Sequence, residues 1–437
     1  MPPHADRPIM SYGQMFVFWI PLGIMWLMMA VEQPALAAVI ARMPDAAVNL
    51  AAFGVVFAIA LVAESPVLQM LSAATALTGH RADYDLLLRL MHILALSLTV
   101  LHLLVGLTPL YDAIVGGVLG VPREVLETSR WPFVVMAPFS AAVGYRRFWQ
   151  GVLIRHGRTW VVPISMVLRL ALVAAIIAVG YTRWNVSGAM LGAIAVSAGV
   201  IMAAVSAWLL NRALVMPTLR DPEPGDDRQG WHSLSRFYVP LSLTTVVFLM
   251  ANPVLTFGLA RGDLPELSLA VWPVISGFLF LFNSLALSYQ EGAIALLKQN
   301  PENLRRLRRF TAVLAGTLSG SLLLAAISPV GQWWFRTVGG LPPRLLELTT
   351  APLYILAIGP ALVTIKAWAR ARYVDNGRTR VLAEASVTYT IVLFTAVFIG
   401  AALASLPGAV AAALALIVGQ TAESGYLLAR NPARARR

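Results

Sequence analysis

FWIPLGIMWLMMAVEQPALAAVIARMPDAAVNLAAFGV, residues 18–55, and FYVPLSLTTVVFLMANPVLTFGLARGDLPELSLAVWPV, residues 237–274, read as one stretch written twice. At a shift of 219, Phe18 meets Phe237, Pro21 meets Pro240, Leu22 meets Leu241, Pro34 meets Pro253 and Leu36 meets Leu255. Ala41-Arg42 meets Ala260-Arg261 and Leu50-Ala51 meets Leu269-Ala270, so that ten of 38 positions are identical without a gap. Further on, a shift of 220 brings Gly157-Arg158-Thr159 onto Gly377-Arg378-Thr379 and Pro132 onto Pro352. Apolar stretches match one another by composition alone, so the prolines and the Gly-Arg-Thr turn carry the argument for a tandem duplication.

Each copy is a series of apolar blocks of 20 residues or more. Of the 437 residues, 58% are hydrophobic and 12% charged, against about 25% charged in soluble domains. Blocks of this length cross a hydrocarbon layer of about 30 Å as helices, and lipid admits only helices or closed barrels. The blocks do not alternate apolar with polar as barrel strands do. The reading is all-α: a polytopic membrane protein of about twelve helices, at 12–42, 46–77, 84–107, 131–152, 160–181 and 186–212, then 233–259, 266–293, 309–328, 350–371, 379–400 and 404–428. They form two six-helix lobes, 1–215 and 232–437. The linker, 216–231, is expected to be cytoplasmic and is marked by Pro217, Pro222, Pro224 and Gly225 among charges. Six is even, so both lobes enter the membrane in the same sense, related by a pseudo-two-fold along its normal. Parallel repeats of this kind hold a substrate between them.

The net charge of +12 raises the question of nucleic acid, but the basic residues sit in short turns between apolar blocks, where they set topology. One side carries 25 of them; the other carries Arg42, Arg123, Arg130, Arg183, Arg261, Arg336 and Arg344. Both termini are therefore expected in the cytoplasm. Arginine outnumbers lysine 31 to two, Lys298 and Lys366, and with abundant alanine this suggests a bacterial inner-membrane protein. The apolar stretch from Met15 runs too long for a cleaved signal peptide and reads as a retained first helix. There is no cysteine, hence no disulfide or thiolate metal site. No Walker A glycines precede either lysine, the six histidines have no HExxH spacing, and no GxSxG elbow occurs. The chain is expected not to be an enzyme, and to need no cofactor or metal, with H+ or Na+ as coupling ions. Its partners would be a small-molecule or ionic substrate and membrane lipids, not nucleic acid, and it would act as a monomer.

Charged and amide residues inside apolar helices are the candidate site, because lipid tolerates them only where they face a wet or paired interior. Glu32-Gln33-Pro34 lies two-thirds along the first helix, and Asn252-Pro253 is the repeat of Gln33-Pro34. Proline frees carbonyls one turn earlier and kinks a helix, so Pro34, Pro66 and Pro253 mark expected kinks. Glu32 faces the central cavity or lies solvated near the outer surface. Glu64-Ser65 falls mid-helix and recurs as Asn283-Ser284; Glu64 is a proton-coupling carboxylate or a buried protonated acid bonded to a neighbouring helix. Arg169 must stay charged; it pairs with Glu32 or Glu64, or binds an anionic substrate group. Glu384, placed at the interface, and Glu423 are the second-half counterparts. The run YRRFWQGVLIRHGR, 145–158, and its counterpart at 365–378 read first as arginines snorkelling to lipid phosphate, second as a lure for an anionic substrate. LRRLRRF, 304–310, reads likewise. Gly188-xxx-Gly192 and Gly316-xxx-Gly320 fit close helix packing.

These residues resemble the MOP superfamily, which includes the multidrug and toxic compound extrusion (MATE) exporters and the lipid-linked oligosaccharide flippases. Phe148-Trp149-Gln150-Gly151 followed by Gly157-Arg158-Thr159 resembles the family's turn after its fourth helix. Val31-Glu32-Gln33-Pro34-Ala35-Leu36 resembles a Gly-Glu-Gln-Ala-Leu segment of the progressive ankylosis (ANK-type) branch. The resemblance implies lobes that alternate between inward- and outward-open states. ANK-type proteins are associated with efflux of pyrophosphate, nucleotide or citrate-like anions, MATE exporters with expulsion of cationic drugs. The expectation is a proton- or cation-coupled secondary transporter that exports a small solute, anions included. A lipid-linked precursor flippase of the same fold is the alternative, and a non-transporting membrane scaffold the alternative of another class.

Overall fold

The computed structural model describes residues 10–156, 158, 162–221, 230–299, 303–375, 379–403 and 406–430. Most of the linker and Gly157, Thr159, Gly377 and Arg378 of the repeated turn lie outside the described residues. The helices are α1 (Tyr12–Ile40), α2 (Ala46–Glu64), α3 (Met70–Leu77), α4 (Arg81–Leu107), α5 (Arg123–Val135), α6 (Phe139–Arg155), α7 (Val162–Arg183), α8 (Gly188–Leu214) and α9 (Trp231–Leu249). Then come α10 (Ala251–Arg261), α11 (Pro265–Gln299), α12 (Asn303–Ile327), α13 (Pro329–Trp333), α14 (Pro343–Glu347), α15 (Thr350–Leu356), α16 (Gly359–Asp375), α17 (Thr379–Leu403) and α18 (Gly408–Ala429).

Among the described residues ten helical stretches are long and apolar enough to span a membrane, with Thr245–Arg261 as a shorter apolar helix. Their apolar residues run onto the outside: Ile93, Leu96, Val100, Leu101 and Leu104 of α4 are each at least half exposed. Contiguous apolar surface on this scale marks a face for lipid rather than water. The protein is an all-α polytopic membrane protein. Ser11 starts α1 with a capping box, its hydroxyl accepting from Gln14 N (3.3 Å) while Gln14 Oε1 accepts from Ser11 N (2.7 Å).

Several expected helices are broken, and the breaks follow proline. The helix expected at 46–77 passes through a 3-10 turn at Ser65–Val67, where Pro66 cannot donate. The one at 233–259 divides at Met250, three residues before Pro253. By contrast α1 runs unbroken through Pro34. The expected helix at 131–152 is α5 plus α6, and that at 350–371 is α15 and α16, with a break before each of α6 and α16.

Packing divides the chain into two compact units, Met43–Phe257 and Met1–Arg42 with Gly258–Arg437. The division is not the one drawn at the linker. The first helix of the N-terminal half, α1, packs on α11 of the C-terminal half, with Met15 and Trp19 buried among Ala286, Tyr289, Ala293 and Leu307. In the other unit α9 packs on the Ser65–Val67 turn. Tyr238 Oη and Ser242 Oγ both donate to the Pro66 carbonyl, at 2.7 and 3.1 Å, and Gln69 Nε2 donates to Thr245 Oγ1 at 2.8 Å.

Within the Met43–Phe257 unit α6 is central, against α3, α4 and α8. Gly151 allows the α3 approach: a Cβ there would lie 2.6 Å from Leu71 O and 2.7 Å from the Ala74 Cβ. In the other unit α16 packs on α11, α12 and α18, and α17 pairs with α18. The Gly316-xxx-Gly320 expectation is corrected, since nothing lies within 4 Å of a Cβ built on either glycine.

Each unit also contains the same turn. A π-helical segment, Asp112–Val118 or Trp334–Val338, leads into a left-handed glycine, Gly120 (φ 72°) or Gly340 (φ 67°). The bonds Val121 N to Val115 O (3.1 Å) and Leu119 N to Ile114 O (2.9 Å) recur 220 residues later as Leu341 N to Phe335 O (3.0 Å) and Gly339 N to Trp334 O (2.7 Å).

Candidate functional site

Among the buried charges of the described residues are two groups, one in each unit, and both are built around the second segment of a broken helix. In the Met43–Phe257 unit that segment is α6, which starts at Phe139, so Arg146 lies two turns from its N-terminus and about 14 Å from Arg155 at its end. Arg146 is buried and Arg147 half-buried. The expectation that the run snorkels to lipid phosphate is corrected for Arg146, which is buried in α6, the central helix of its unit; Arg155 and Arg158 are exposed. Arg146 Nη1 lies 3.9 Å from Met166 Sδ on α7, and Gln150 Nε2, one turn on, donates to Ser165 Oγ at 3.0 Å.

Glu64, the last residue of α2, is buried at 8% exposure. The cations whose charges act on its carboxylate are Arg146 and Arg147 of α6 and Arg169 of α7. Of the two partners considered for Arg169, then, Glu64 shares its unit and Glu32 belongs to the other. Arg147 also has Tyr238 of α9 beside it, and its Nε is buried without a hydrogen-bond partner among the described residues. Three arginines and one buried carboxylate thus belong to the same unit.

In the other unit the helix is α16. Lys366 Nζ lies 3.0 Å from Glu423 Oε2 and Arg370 Nη2 lies 2.5 Å from Oε1, with the Glu423 side chain fully buried. Arg370 also donates to Ser386 Oγ at 3.0 Å, and Lys366 lies over the Tyr389 ring at 5.9 Å. Lys366 is Arg146 displaced by 220, Arg370 is Gln150, and Tyr389 is Arg169. One cation therefore recurs at a repeat-related place, Lys366 for Arg146, while the carboxylate comes from α2 in one unit and from α18 in the other. Each group keeps more positive than negative charge.

The remaining candidates are dispersed. Glu32 is buried on α1 at 5% exposure, so the solvated alternative does not describe it; Gln33 beside it is half-buried. Ser65 Oγ donates to Val62 O of its own helix at 2.6 Å, which leaves it a local cap. Asn252 Nδ2 donates to Leu249 O (3.3 Å) at the start of α10. Asn283 Oδ1 is buried with no hydrogen-bond partner among the described residues. Glu384 is 32% exposed and held by Arg380 (3.2 Å), Arg430 (3.6 Å) and Tyr426 Oη (2.6 Å). Among the described residues no three His, Cys, Asp or Glu side chains could hold a metal ion. A groove of about 550 Å³ along Ile391, Phe394, Phe398 and Ala402 of α17 is apolar; with Ile391 and Phe398 more than half exposed it belongs to the lipid face.

No protein-family model and no curated protein matches the chain by sequence. Its structure is similar to an inward-closed structure of the lipid II flippase MurJ, with TM-score 0.72 and 13% identity over 95% of this chain and 87% of that one. It is also similar to the MATE multidrug transporter DinF-BH, with TM-score 0.69 and 14% identity over 100% and 99%. A MOP-superfamily transporter from Pyrococcus furiosus matches with TM-score 0.58 and 15% identity over 97% and 96%. At these identities the likeness is one of fold: that of MOP-superfamily, MATE-like transporters at large. It singles out no branch, the ANK-type branch included.

Proposed function

We propose that the chain is a secondary transporter of the MOP type, an exporter that carries a small anionic solute by alternating access. One observation carries this reading: inside the apolar helices of one unit Glu64 and Arg146 are buried and Arg147 and Arg169 half-buried. Buried charges in a bilayer are costly and are kept where a polar pathway uses them. With α5–α6 and α9–α10 counted as spans beside the ten apolar stretches, the helices number twelve. The recurring π turn and the repeat-related pair Arg146 and Lys366 support two duplicated halves, 1–215 and 232–437, and the Arg and Lys asymmetry supports both termini on the cytoplasmic side of a bacterial inner membrane. Glu64 is the coupling carboxylate of this reading and Glu32 its second candidate. A proton or ligand shifts such a protein only by binding one state better than the other.

The flippase reading is favoured by the same excess of cations, which is larger than the single mid-membrane Arg169 expected from sequence. Both predict gradient-dependent movement across a bilayer and differ in cargo. The test is flux into proteoliposomes with and without a pH gradient, offering anions, a cationic dye and a fluorescent lipid-linked diphosphate. Uptake of an anion or scrambling of the lipid that halts in Glu64→Gln is the expected result. Absence of flux for every class would leave the scaffold alternative.

A further inference from the structure

One carboxylate needs one cation, and Glu423 has two. Lys366 Nζ meets its Oε2 at 3.0 Å and Arg370 Nη2 meets its Oε1 at 2.5 Å. Both oxygens of the carboxylate are taken, and the group keeps one positive charge in excess. Among the described side chains of α12, α16, α17 and α18 the other carboxylate is Glu384, which Arg380 and Arg430 hold. An unneutralised cation is costly inside an apolar bundle.

Packing does not call for the second cation. At the repeat-related place in the other unit Gln150 stands where Arg370 stands here, and its amide donates to the Ser165 hydroxyl of the next helix at 3.0 Å. Arg370 Nη2 donates to Ser386 Oγ of α17 at 3.0 Å in the same way. A neutral amide therefore suffices to tie this helix to the next. The two cations also keep donors to spare. Arg370 makes its bonds through Nη2, and its Nε is buried without a hydrogen-bond partner among the described residues. Lys366 Nζ donates to Glu423 alone among the described residues, one of the three bonds open to an ammonium.

Lys366 and Arg370 are four residues apart, on one face of α16, and their side chains remain 12% and 23% exposed. Arg370 stands about 8 Å from the end of α16 and Glu423 about 9 Å from the end of α18. The group thus lies just inside the end of its unit where α16 and α18 stop and α17 begins. From these contacts and this charge count we infer that Lys366 and Arg370 bind the carboxylate of a singly charged molecule alongside Glu423, which brings the group to neutrality. A carboxylate is the anion these two cations already grip, and a doubly charged sulfate would overshoot the balance. That this molecule is cargo rests on the transporter reading; that it binds does not.

Acetate is the probe, with acetamide as its neutral isostere. Binding to the purified full chain in detergent is followed by ligand-observed NMR titration at about pH 7.5, where a carboxylate is ionised. Acetate should bind the wild type, and acetamide should not displace it. Lys366→Met removes the excess charge and should weaken acetate at least about tenfold. Lys366→Arg keeps the charge and should bind as the wild type does. Glu423→Gln doubles the excess and should bind acetate more tightly, by about tenfold. Should Glu423→Gln not elute as a folded species, the two Lys366 variants carry the test, since both keep the Arg370–Glu423 pair. Equal acetate affinity in the wild type and Lys366→Met, or displacement by acetamide, overturns the inference. So does tighter binding in Lys366→Arg than in the wild type, which would show that Lys366 adds no charge. Displacement of acetate in nanodiscs by dodecanoate at far lower concentration than by short-chain acids places the carboxylate on a lipid chain; the converse places it on a soluble molecule, and both uphold the site. Flux of a neutral or cationic solute without acetate binding would overturn the site and leave the transporter. Acetate binding in the expected order without flux of any solute would do the reverse.

Discussion

Trp19 Nε1 donates to Ser288 Oγ at 2.9 Å, and Tyr238, which is Trp19 displaced by 219 residues, donates from Oη to the Pro66 carbonyl at 2.7 Å. Pro66 lies three residues before Gln69, the position that corresponds to Ser288. In each unit, then, the first helix of one sequence half is fastened to the second helix of the other half. Such bonds must break if the halves move apart in an alternating-access cycle. Each is worth about 1 kcal/mol net, or about fivefold in a two-state equilibrium.

Removing both donors, as Trp19→Phe with Tyr238→Phe, should shift the population toward the separated state by about tenfold or more. The chain has no cysteine, so Ser242→Cys or Ser288→Cys in that background gives a clean labelling site. Faster maleimide labelling of both positions in the double variant is expected. Unchanged rates would show that these bonds do not hold a gate.

Glu423 pairs with two cations at once, one through each carboxylate oxygen. Glu423→Gln would leave Lys366 and Arg370 facing each other in a buried place, and breaking one side of such a group typically costs about 3–5 kcal/mol. The partial exposure of Lys366 and Arg370, 12% and 23%, places the loss at the lower end of that range. Thermal unfolding in detergent should show a markedly lower midpoint for Glu423→Gln. Adding Lys366→Met should recover part of it by removing the repulsion, so the double variant should be more stable than the single one.

The helices were legible because lipid leaves a chain few choices: blocks of apolar residues, a charge asymmetry and prolines at the breaks sufficed for Ser65–Val67 and Met250. The burial of Arg146 was not foreseen, for a physical reason. A basic run near the end of an apolar block usually reaches water, and only tertiary packing reveals that α6 is central to its unit. Its position nine residues from Arg155, with Lys366 at the equivalent place in the repeat, was the available signal. The exchange of α1 and α9 between packing units could not be read at all, because hydropathy identifies a helix without naming its neighbours. Glu64 and Arg169 were singled out from sequence, and both belong to the Met43–Phe257 unit; Glu32 and Asn283 were also singled out and belong to the other unit.

Gly151 lies in the Phe-Trp-Gln-Gly segment, against the backbone of α3. Gly151→Ala places a methyl 2.6 Å from the Leu71 carbonyl, and backbone cannot yield as a side chain would. Overpacking of this kind costs about 1–3 kcal/mol. The thermal midpoint should fall, and by more than for Gly316→Ala, where a Cβ meets nothing within 4 Å and the gain in helix propensity should raise stability by several tenths of a kcal/mol. Equal effects at the two sites would mean that the close approach of α6 to α3 is not a tight one.

Gly120 and Gly340 end the two π turns with nearly the same backbone, φ 72° and 67°. An alanine at either pays about 1 kcal/mol for the left-handed conformation, so backbone alone predicts equal losses. Their surroundings differ. A Cβ at Gly340 would fall 2.8 Å from Arg42 Nη1 and 2.9 Å from its Cγ, and Arg42 is held there by bonds to the carbonyls of Ala38 (2.6 Å) and Thr337. To make room the guanidinium must give up one or both acceptors, and a hydrogen bond to a charged group is worth about 1.5–3 kcal/mol. Gly340→Ala should therefore be the more damaging, and the excess should vanish when Arg42→Ala is made first. This is a double-mutant cycle whose coupling is read from unfolding midpoints. A cycle that closes with no coupling would show that Arg42 can leave the turn without loss.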